Sequence, residues 1–71
     1  MREKSKFSKR LRELRAKEDV SCRVLSELCG LPTDAIWRFE SGRSKPELDS
    51  VVKIAEYFKV SIDFLIGREN Y

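Results

Sequence analysis

The sequence predicts an all-α fold, a compact bundle of five short helices. Apolar residues recur every three or four positions through most of the chain, which is the period of a helix that buries one side. Helix caps and breakers separate these segments, and no stretch alternates as a half-buried strand does. With 71 residues, 41% of them hydrophobic, we expect a single domain over residues 1–71, with its core at about 5–67 and short mobile tails at 1–4 and 68–71.

The first predicted helix runs from Ser5 to Lys17. Its apolar residues recur at mostly helical spacing, and charged residues fill the other faces, so the helix is amphipathic. The apolar set is Phe7, Leu11, Leu14 and Ala16.

A second helix begins after Ser21, a residue type that caps helix N-termini well. Leu25, Leu28 and Cys29 share one face of this helix. Gly30 ends it, because glycine takes a positive φ without strain and lets the chain turn sharply.

Pro32 and Thr33 are predicted to begin the third helix, since the preset φ of proline suits a first helical turn. The helix runs to about Ser41, with Ile36 and Phe39 on its inner face.

The last two helices follow a loop of turn formers and cations at residues 41–46. The apolar stripe of the fourth helix, from Leu48 to Phe58, is wide and predicts that this is the most buried helix. Ser61 caps a short fifth helix at 62–66, and Gly67 stops it.

The second and third helices together have the features of a helix-turn-helix, which places its second helix in the DNA major groove. Two helices that cross closely need a small residue at the crossing and a glycine in the turn, and Ser26 and Gly30 meet these needs. Apolar residues occupy the facing positions: Leu25, Cys29, Leu31, Ile36 and Phe39.

The basic charge is concentrated at the front of the chain. Residues 1–23 contain nine Lys or Arg and four acidic residues, which gives this segment a net charge of +5, whereas the net charge of residues 46–71 is −2. A basic front is typical of a surface that binds a polyanion, and a solvated helix face explains it equally well.

Several classes of function are not expected. Cys22 and Cys29 are seven residues apart, about 10 Å along a helix, which is too far for a disulfide. The chain has no His, no paired metal ligands and no assembled nucleophile, so we expect no metal, no cofactor, no small-molecule ligand and no enzymatic activity. Its apolar runs are short and no signal sequence is evident, so a cytoplasmic protein is expected.

The chain resembles the Cro/repressor-type, or XRE-like, helix-turn-helix domains of bacterial and phage regulators. The resemblance covers nearly the whole chain and is carried by LRELR at 11–15, VS at 20–21, LSELCGL at 25–31, IWRFESGR at 36–43, Pro46, Leu48, IA at 54–55 and VSIDFL at 60–65. It implies a five-helix bundle like that of lambda repressor. It also implies sequence-specific binding of double-stranded DNA by a repressor-like transcriptional regulator.

The resemblance also assigns roles to individual residues. The base-reading side chains would be Thr33, Asp34, Trp37 and Arg38, and helical spacing independently puts them opposite Ile36 and Phe39. The phosphate contacts would come from Ser21, Cys22, Arg23, Ser41, Arg43 and Lys45. Arg15 and Glu40 would form a structural ion pair between the first and third helices.

The predicted reading surface departs from the family pattern at three positions. Cys22 replaces a glutamine that often touches DNA, so direct readout from the second helix is weakened. Asp34 either accepts a hydrogen bond from cytosine or repels phosphate, and Trp37 either touches thymine methyls or folds back onto the second helix. For Arg38, guanine recognition and a phosphate contact are both open.

The alternative function is a protein-interaction or dimerisation module, such as an antitoxin or a regulator's partner with weak DNA binding. The acidic, apolar last third of the chain would supply its surface. The same region suits a homodimer, with an interface predicted at Tyr57, Phe64, Ile66 and Tyr71.

Overall fold

A computed structural model describes residues 5–68, and over that range the chain is helical with no strand. The five helices are α1 (Lys6–Glu18), α2 (Cys22–Leu28), α3 (Ala35–Ser41), α4 (Leu48–Phe58) and α5 (Ile62–Ile66). The predicted five-helix, all-α fold is confirmed. The tail predicted at 1–4 lies outside the described residues, as do residues 69–71 of the tail predicted at 68–71.

One core joins all five helices. Each helix contributes one large aliphatic side chain with 0% exposure, in chain order Leu11, Leu25, Ile36, Ile54 and Leu65. Phe7 and Phe39 extend this core as an edge-to-face ring pair with centroids 5.9 Å apart. Because every helix buries its inner face against the same centre, the helices hold one another in place.

Helix α1 begins one residue after the predicted start. Ser5 is its N-cap, and the Ser5 hydroxyl accepts a hydrogen bond from the Ser8 amide at 3.1 Å. The buried Ser8 hydroxyl donates to the Phe39 carbonyl at 2.6 Å, which fastens α1 to α3. Ala16 was predicted on the apolar face but is exposed, because it lies two positions after Leu14 rather than three or four.

The turn between α2 and α3 follows the prediction at its start and differs at its end. Gly30 has φ +74°, and the Leu31 amide donates to the Ser26 carbonyl at 2.8 Å. The expected helix start at Pro32 and Thr33 is wrong, since α3 begins at Ala35. The Ala35 amide donates to the Pro32 carbonyl, so Pro32 opens a separate turn instead of the first turn of the helix.

Two expectations about burial are also wrong. Leu28 was predicted on the inner face of α2 but is 52% exposed, because the buried residues Leu25, Ser26 and Cys29 define that face and helical spacing turns Leu28 away from its centre. Helix α4 is not the most buried helix, since α3 buries four of its seven residues whereas α4 buries three of eleven. The first residue of α4, Leu48, lies beyond the edge of the core and is 72% exposed.

The two cysteines are free thiols, in agreement with the sequence prediction. Cys29 is buried beneath α2, and this burial raises the pKa of its thiol to about 11, so the thiol is protonated at neutral pH. Among the residues that the structure describes, no helix is long and apolar enough to cross a membrane.

Candidate nucleic-acid interface

Ser26 fixes how α2 and α3 cross. Its side chain has 0% exposure, and its hydroxyl donates to the Cys22 carbonyl at 2.8 Å within α2. The same oxygen accepts a hydrogen bond from the Ile36 amide at 3.1 Å, in the first turn of α3. A small hydroxyl residue therefore fills the crossing point and satisfies a buried amide of the neighbouring helix. This contact sets the position of the outer face of α3.

The four residues predicted to read bases lie on α3 and in the turn before it. Thr33 and Asp34 lie exposed in the turn that precedes the helix, and Trp37 is 49% exposed one turn later. Arg38 is less accessible, with 36% of its side chain exposed. The structure thus brings the four residues to one surface, but with unequal access to a bound molecule.

Asp34 and Arg38 already contact each other. The Arg38 Nε atom lies 3.2 Å from Asp34 Oδ2, as an i,i+4 ion pair along the helix. The Arg38 Nη1 atom also donates to the Ser44 hydroxyl at 3.2 Å, in the loop that follows α3. The two charges whose roles the sequence left open are therefore partners in the protein without DNA.

Trp37 does not fold back onto α2 as a buried residue, and a loop cation covers part of its ring. The Arg43 guanidinium carbon lies 5.3 Å from the centroid of the Trp37 ring, within the range of a cation–π interaction. Arg43 was predicted as a phosphate contact and Trp37 as a base reader. The structure joins the two side chains in one exposed feature.

The other predicted phosphate contacts lie in two groups. Ser21 caps α2, and its hydroxyl accepts a hydrogen bond from the Val24 amide at 3.1 Å. Arg23 is exposed, and its Nε atom lies 3.6 Å from Glu27 Oε2. Ser41 and Lys45 belong to the end of α3 and its following loop, and the Ser41 hydroxyl donates to the Arg38 carbonyl at 3.1 Å.

Cys22, the remaining predicted phosphate contact, is half-buried. This burial, with a smaller effect from the nearby Glu40 carboxylate, raises the pKa of its thiol. Cys22 therefore presents a neutral thiol at the start of α2 rather than a charged group.

Arg15 and Glu40 lie behind this surface and form a bidentate pair. The Arg15 Nε atom is 2.7 Å from Glu40 Oε2, and Arg15 Nη2 donates to Glu40 Oε1 at 3.0 Å. A third bond runs from Arg15 Nη1 to the Val20 carbonyl at 2.9 Å. The hydrogen bond to Glu40 raises the pKa of the Arg15 guanidinium. Three fixed donors thus join α1, the loop before α2, and α3.

A cleft of about 250 Å³ adds a residue that the sequence prediction missed. Its lining residues are Arg12, Arg15, Cys22, Trp37, Glu40 and Ser41. Arg12 is exposed, and the cleft places it beside two predicted DNA contacts, Cys22 and Trp37. Its signal in the sequence was the basic first helix, but which cation of that helix faces α3 depends on how the two helices pack.

Of the four residues predicted for a dimer interface, the three that the structure describes differ in exposure and in their contacts. Ile66 is 39% exposed on α5. Phe64 is half-buried, and the Arg10 guanidinium carbon lies 4.4 Å from the centroid of the Phe64 ring. Tyr57 donates its hydroxyl to Glu18 at 2.9 Å, and Tyr71 lies outside the described residues. Ile62, one turn before Ile66, is 37% exposed and was not predicted.

A family of helix-turn-helix domains matches residues 6–63, which cover all of α1 to α4 and the start of α5. The chain belongs to this helix-turn-helix family. The sequence-based assignment to Cro/repressor-type helix-turn-helix domains is confirmed. In this domain α2 and α3 are the two helices of the motif, and Gly30 lies in its turn.

Among curated proteins, the domain is similar to transcriptional regulators of Bacillus subtilis and Enterococcus faecalis. It is 35% identical over 61 residues to the HTH-type transcriptional regulator AnsR of Bacillus subtilis, a match that covers 86% of this chain and 53% of AnsR. It is 31% identical to the HTH-type transcriptional activator BcrR of Enterococcus faecalis, with 90% of this chain and 31% of BcrR covered. The chain therefore spans about half the length of AnsR and less of BcrR.

Two solved structures share the fold with a TM-score of 0.80. One is the P22 c2 repressor in complex with synthetic operator 9T in the presence of Tl⁺, at 21% identity, with 89% of this chain and 96% of that chain covered. The other is a transcriptional regulator from Listeria innocua, at 26% identity, with 97% of this chain and 64% of that chain covered.

Proposed function

We propose that this domain binds double-stranded DNA sequence-specifically and acts as a repressor-like transcriptional regulator, with α3 in the major groove. The observation that supports this most is the continuous surface of exposed polar, aromatic and cationic side chains on α3 and its following loop. The P22 c2 repressor, which has the same fold, is bound to an operator in its structure. A DNA-binding role also favours a cytoplasmic location in a bacterial cell.

The proposed contacts divide into base reading and backbone positioning. Trp37 and Thr33 are the proposed base readers, since both are exposed on the outer side of the motif and the indole can contact thymine methyl groups. Phosphate contacts come from the start of α2 at residues 21–23 and from Ser41, Arg43 and Lys45. We add Arg12 to this second group because of its place beside Trp37.

The salt dependence of binding tests this proposal. Each cation that neutralises a phosphate releases a counterion, so the Arg43→Ala variant should bind more weakly and lower the slope of log affinity against log salt by about one unit. Fluorescence anisotropy with labelled duplex DNA measures this slope. The control is Lys53→Ala, which removes an exposed cation paired with Asp49 on α4 and should leave the slope unchanged.

Selection of bound sites from random DNA tests the sequence specificity. We expect one enriched motif, and its symmetry would also report the number of domains on the site. Affinity that does not change with salt or with sequence would contradict the proposal and favour the protein-interaction module instead.

We further propose that two copies associate through α5, which would place two recognition helices about 34 Å apart on DNA. Ile62 and Ile66 support this, since they are exposed one turn apart on the same side of α5. The Ile66→Glu variant should sediment as a monomer at concentrations where the wild type is dimeric, because a charge would be buried at the interface. A monomeric wild type at high concentration would refute the dimer while leaving DNA binding by one domain intact.

A further inference from the structure

The Arg38 side chain connects the two ends of α3. Its Nε atom is 3.2 Å from the Asp34 carboxylate, just before the helix, and its Nη1 atom donates to the Ser44 hydroxyl at 3.2 Å, just after the helix. Among the described residues the buried Nε–H has no hydrogen-bond partner, so the Asp34 contact is an ion pair without a hydrogen bond, whereas the Ser44 contact is a hydrogen bond. The two contacts together hold the planar guanidinium between the two ends of the helix. A guanine that accepts from the same Nη1 hydrogen would displace Ser44.

The Arg38 backbone holds the same loop. Its carbonyl accepts hydrogen bonds from the Arg43 amide at 3.0 Å and the Ser44 amide at 3.3 Å. Gly42 makes this reversal possible with φ +81°, a conformation that residues with a Cβ atom rarely adopt. The loop after α3 is therefore attached to Arg38 through both its main chain and its side chain.

This attachment determines where Arg43 lies. Arg43 is a long, exposed residue, and a free loop would let its guanidinium sample many positions. In the structure the guanidinium carbon instead lies 5.3 Å from the Trp37 ring centroid. The Trp37 ring is half exposed, so the pair presents an aromatic edge and a positive charge side by side on the outer surface.

We propose that Arg38 is a positioning residue: it holds the loop at 42–44 so that Trp37 and Arg43 meet DNA as one stacked unit. In this unit the indole contacts base edges in the major groove and the guanidinium contacts the flanking phosphate. Asp34 serves the unit by fixing and neutralising Arg38 instead of reading cytosine. The DNA part of this inference rests on the proposed function, whereas the loop-holding part concerns the protein alone.

The loop-holding part is tested without DNA, because Trp37 is the sole tryptophan of the chain. A neighbouring guanidinium attracts iodide and repels caesium, so the wild type should show stronger quenching of tryptophan fluorescence by iodide than by caesium. This preference should be largely lost in Arg43→Ala. It should persist in Lys53→Ala, which removes a cation elsewhere.

The decisive variant is Arg38→Lys. It keeps the charge but replaces the planar guanidinium by a single ammonium group, which cannot contact Asp34 and Ser44 in the same geometry. We expect it to lose most of the iodide preference, like Arg43→Ala. Ser44→Ala removes only the hydroxyl partner and should shift the preference in the same direction. Circular dichroism checks that both variants remain folded. A folded Arg38→Lys with the wild-type preference would overturn the proposal.

The DNA part is tested by selecting sites with Arg38→Lys and measuring affinities. Loss of a positioning residue should weaken binding to all selected sequences by a similar factor, and the double variant with Arg43→Ala should bind no worse than Arg43→Ala alone. Relaxed preference at one base pair only would overturn the inference and assign base reading to Arg38, while DNA binding would stand. If the wild type binds no DNA, the proposed function fails, and the quenching comparison still decides whether Arg38 holds the loop.

Discussion

Replacing Arg15 by alanine should lower the free energy of unfolding by about 3–5 kcal/mol. The change leaves the Glu40 carboxylate without its bidentate partner at a position where the residue is only 7% exposed. It also removes the hydrogen bond to the Val20 carbonyl. At about 0.05–0.15 kcal/mol per residue, a domain of 71 residues has a total stability of about 4–11 kcal/mol, so the loss is a large fraction of the total. Urea denaturation followed by circular dichroism measures the change.

Two comparisons separate the buried pair from surface charge effects. Lys53→Ala breaks an exposed pair with Asp49 and should cost less than about 1 kcal/mol. A double variant, Arg15→Met with Glu40→Leu, removes both charges and should be more stable than Arg15→Ala, since no unpaired carboxylate remains buried. An Arg15→Ala variant as stable as Lys53→Ala would show that solvent reaches Glu40 and replaces the lost partner.

Replacing Ser26 by leucine should cost about 2–6 kcal/mol and abolish DNA binding. The side chain has 0% exposure at the crossing of α2 and α3, so a larger residue forces the two helices apart. It also leaves the Ile36 amide without the hydroxyl that accepts its hydrogen bond. Both effects act on the geometry that positions the outer face of α3. Denaturation and anisotropy measurements on the same sample report stability and binding separately.

Ser26→Ala is the matched control, because it removes the hydroxyl without adding volume. It should cost about 1–3 kcal/mol, the range for an unsatisfied buried amide, and the folded fraction should still bind DNA. If Ser26→Leu were as stable as Ser26→Ala, the crossing would have more room than the structure gives it.

Stability and the proposed recognition are linked in this domain because the same helix serves both. The inner side of α3 supplies Ile36, Phe39 and Glu40 to the core and the buried pair, whereas its outer side carries Trp37. Moving the inner side therefore moves the surface that would meet DNA. This is why the variants with the largest effects on stability also affect the proposed interface.

The sequence predicted the helices where local chemistry specifies them. The bounds of α4 and α5 agree with the prediction, since a wide apolar stripe, the cap residue Ser61 and the stop at Gly67 mark those helices. The start of α3 was wrong because Pro32 suits a turn as well as a helix start, and only the hydrogen bond from the Ala35 amide distinguishes the two.

The resemblance and helical spacing predicted four residues on the outer face of the third helix; the structure puts Trp37 and Arg38 on α3, and Thr33 and Asp34 in the turn before it. The Asp34–Arg38 pair is local, because the two residues lie four positions apart. The contact of Arg43 with Trp37 could not be predicted, since it depends on how the loop after α3 folds back through hydrogen bonds to the Arg38 carbonyl. Arg12 was missed for a similar reason, because its place beside Trp37 depends on the packing of α1 against α3.

By itself the sequence determined the fold class, the helix-turn-helix and the face of α3 that points outward, because caps, glycine turns and apolar spacing act over a few neighbouring residues. The tertiary structure alone decided which cations from other elements lie beside the outer face of α3, namely Arg43 against the Trp37 ring and Arg12 in the neighbouring cleft. Side chains such as Arg38 and Arg43 are long enough to reach several partners, so their contacts are set by elements that lie close together only after the chain has folded.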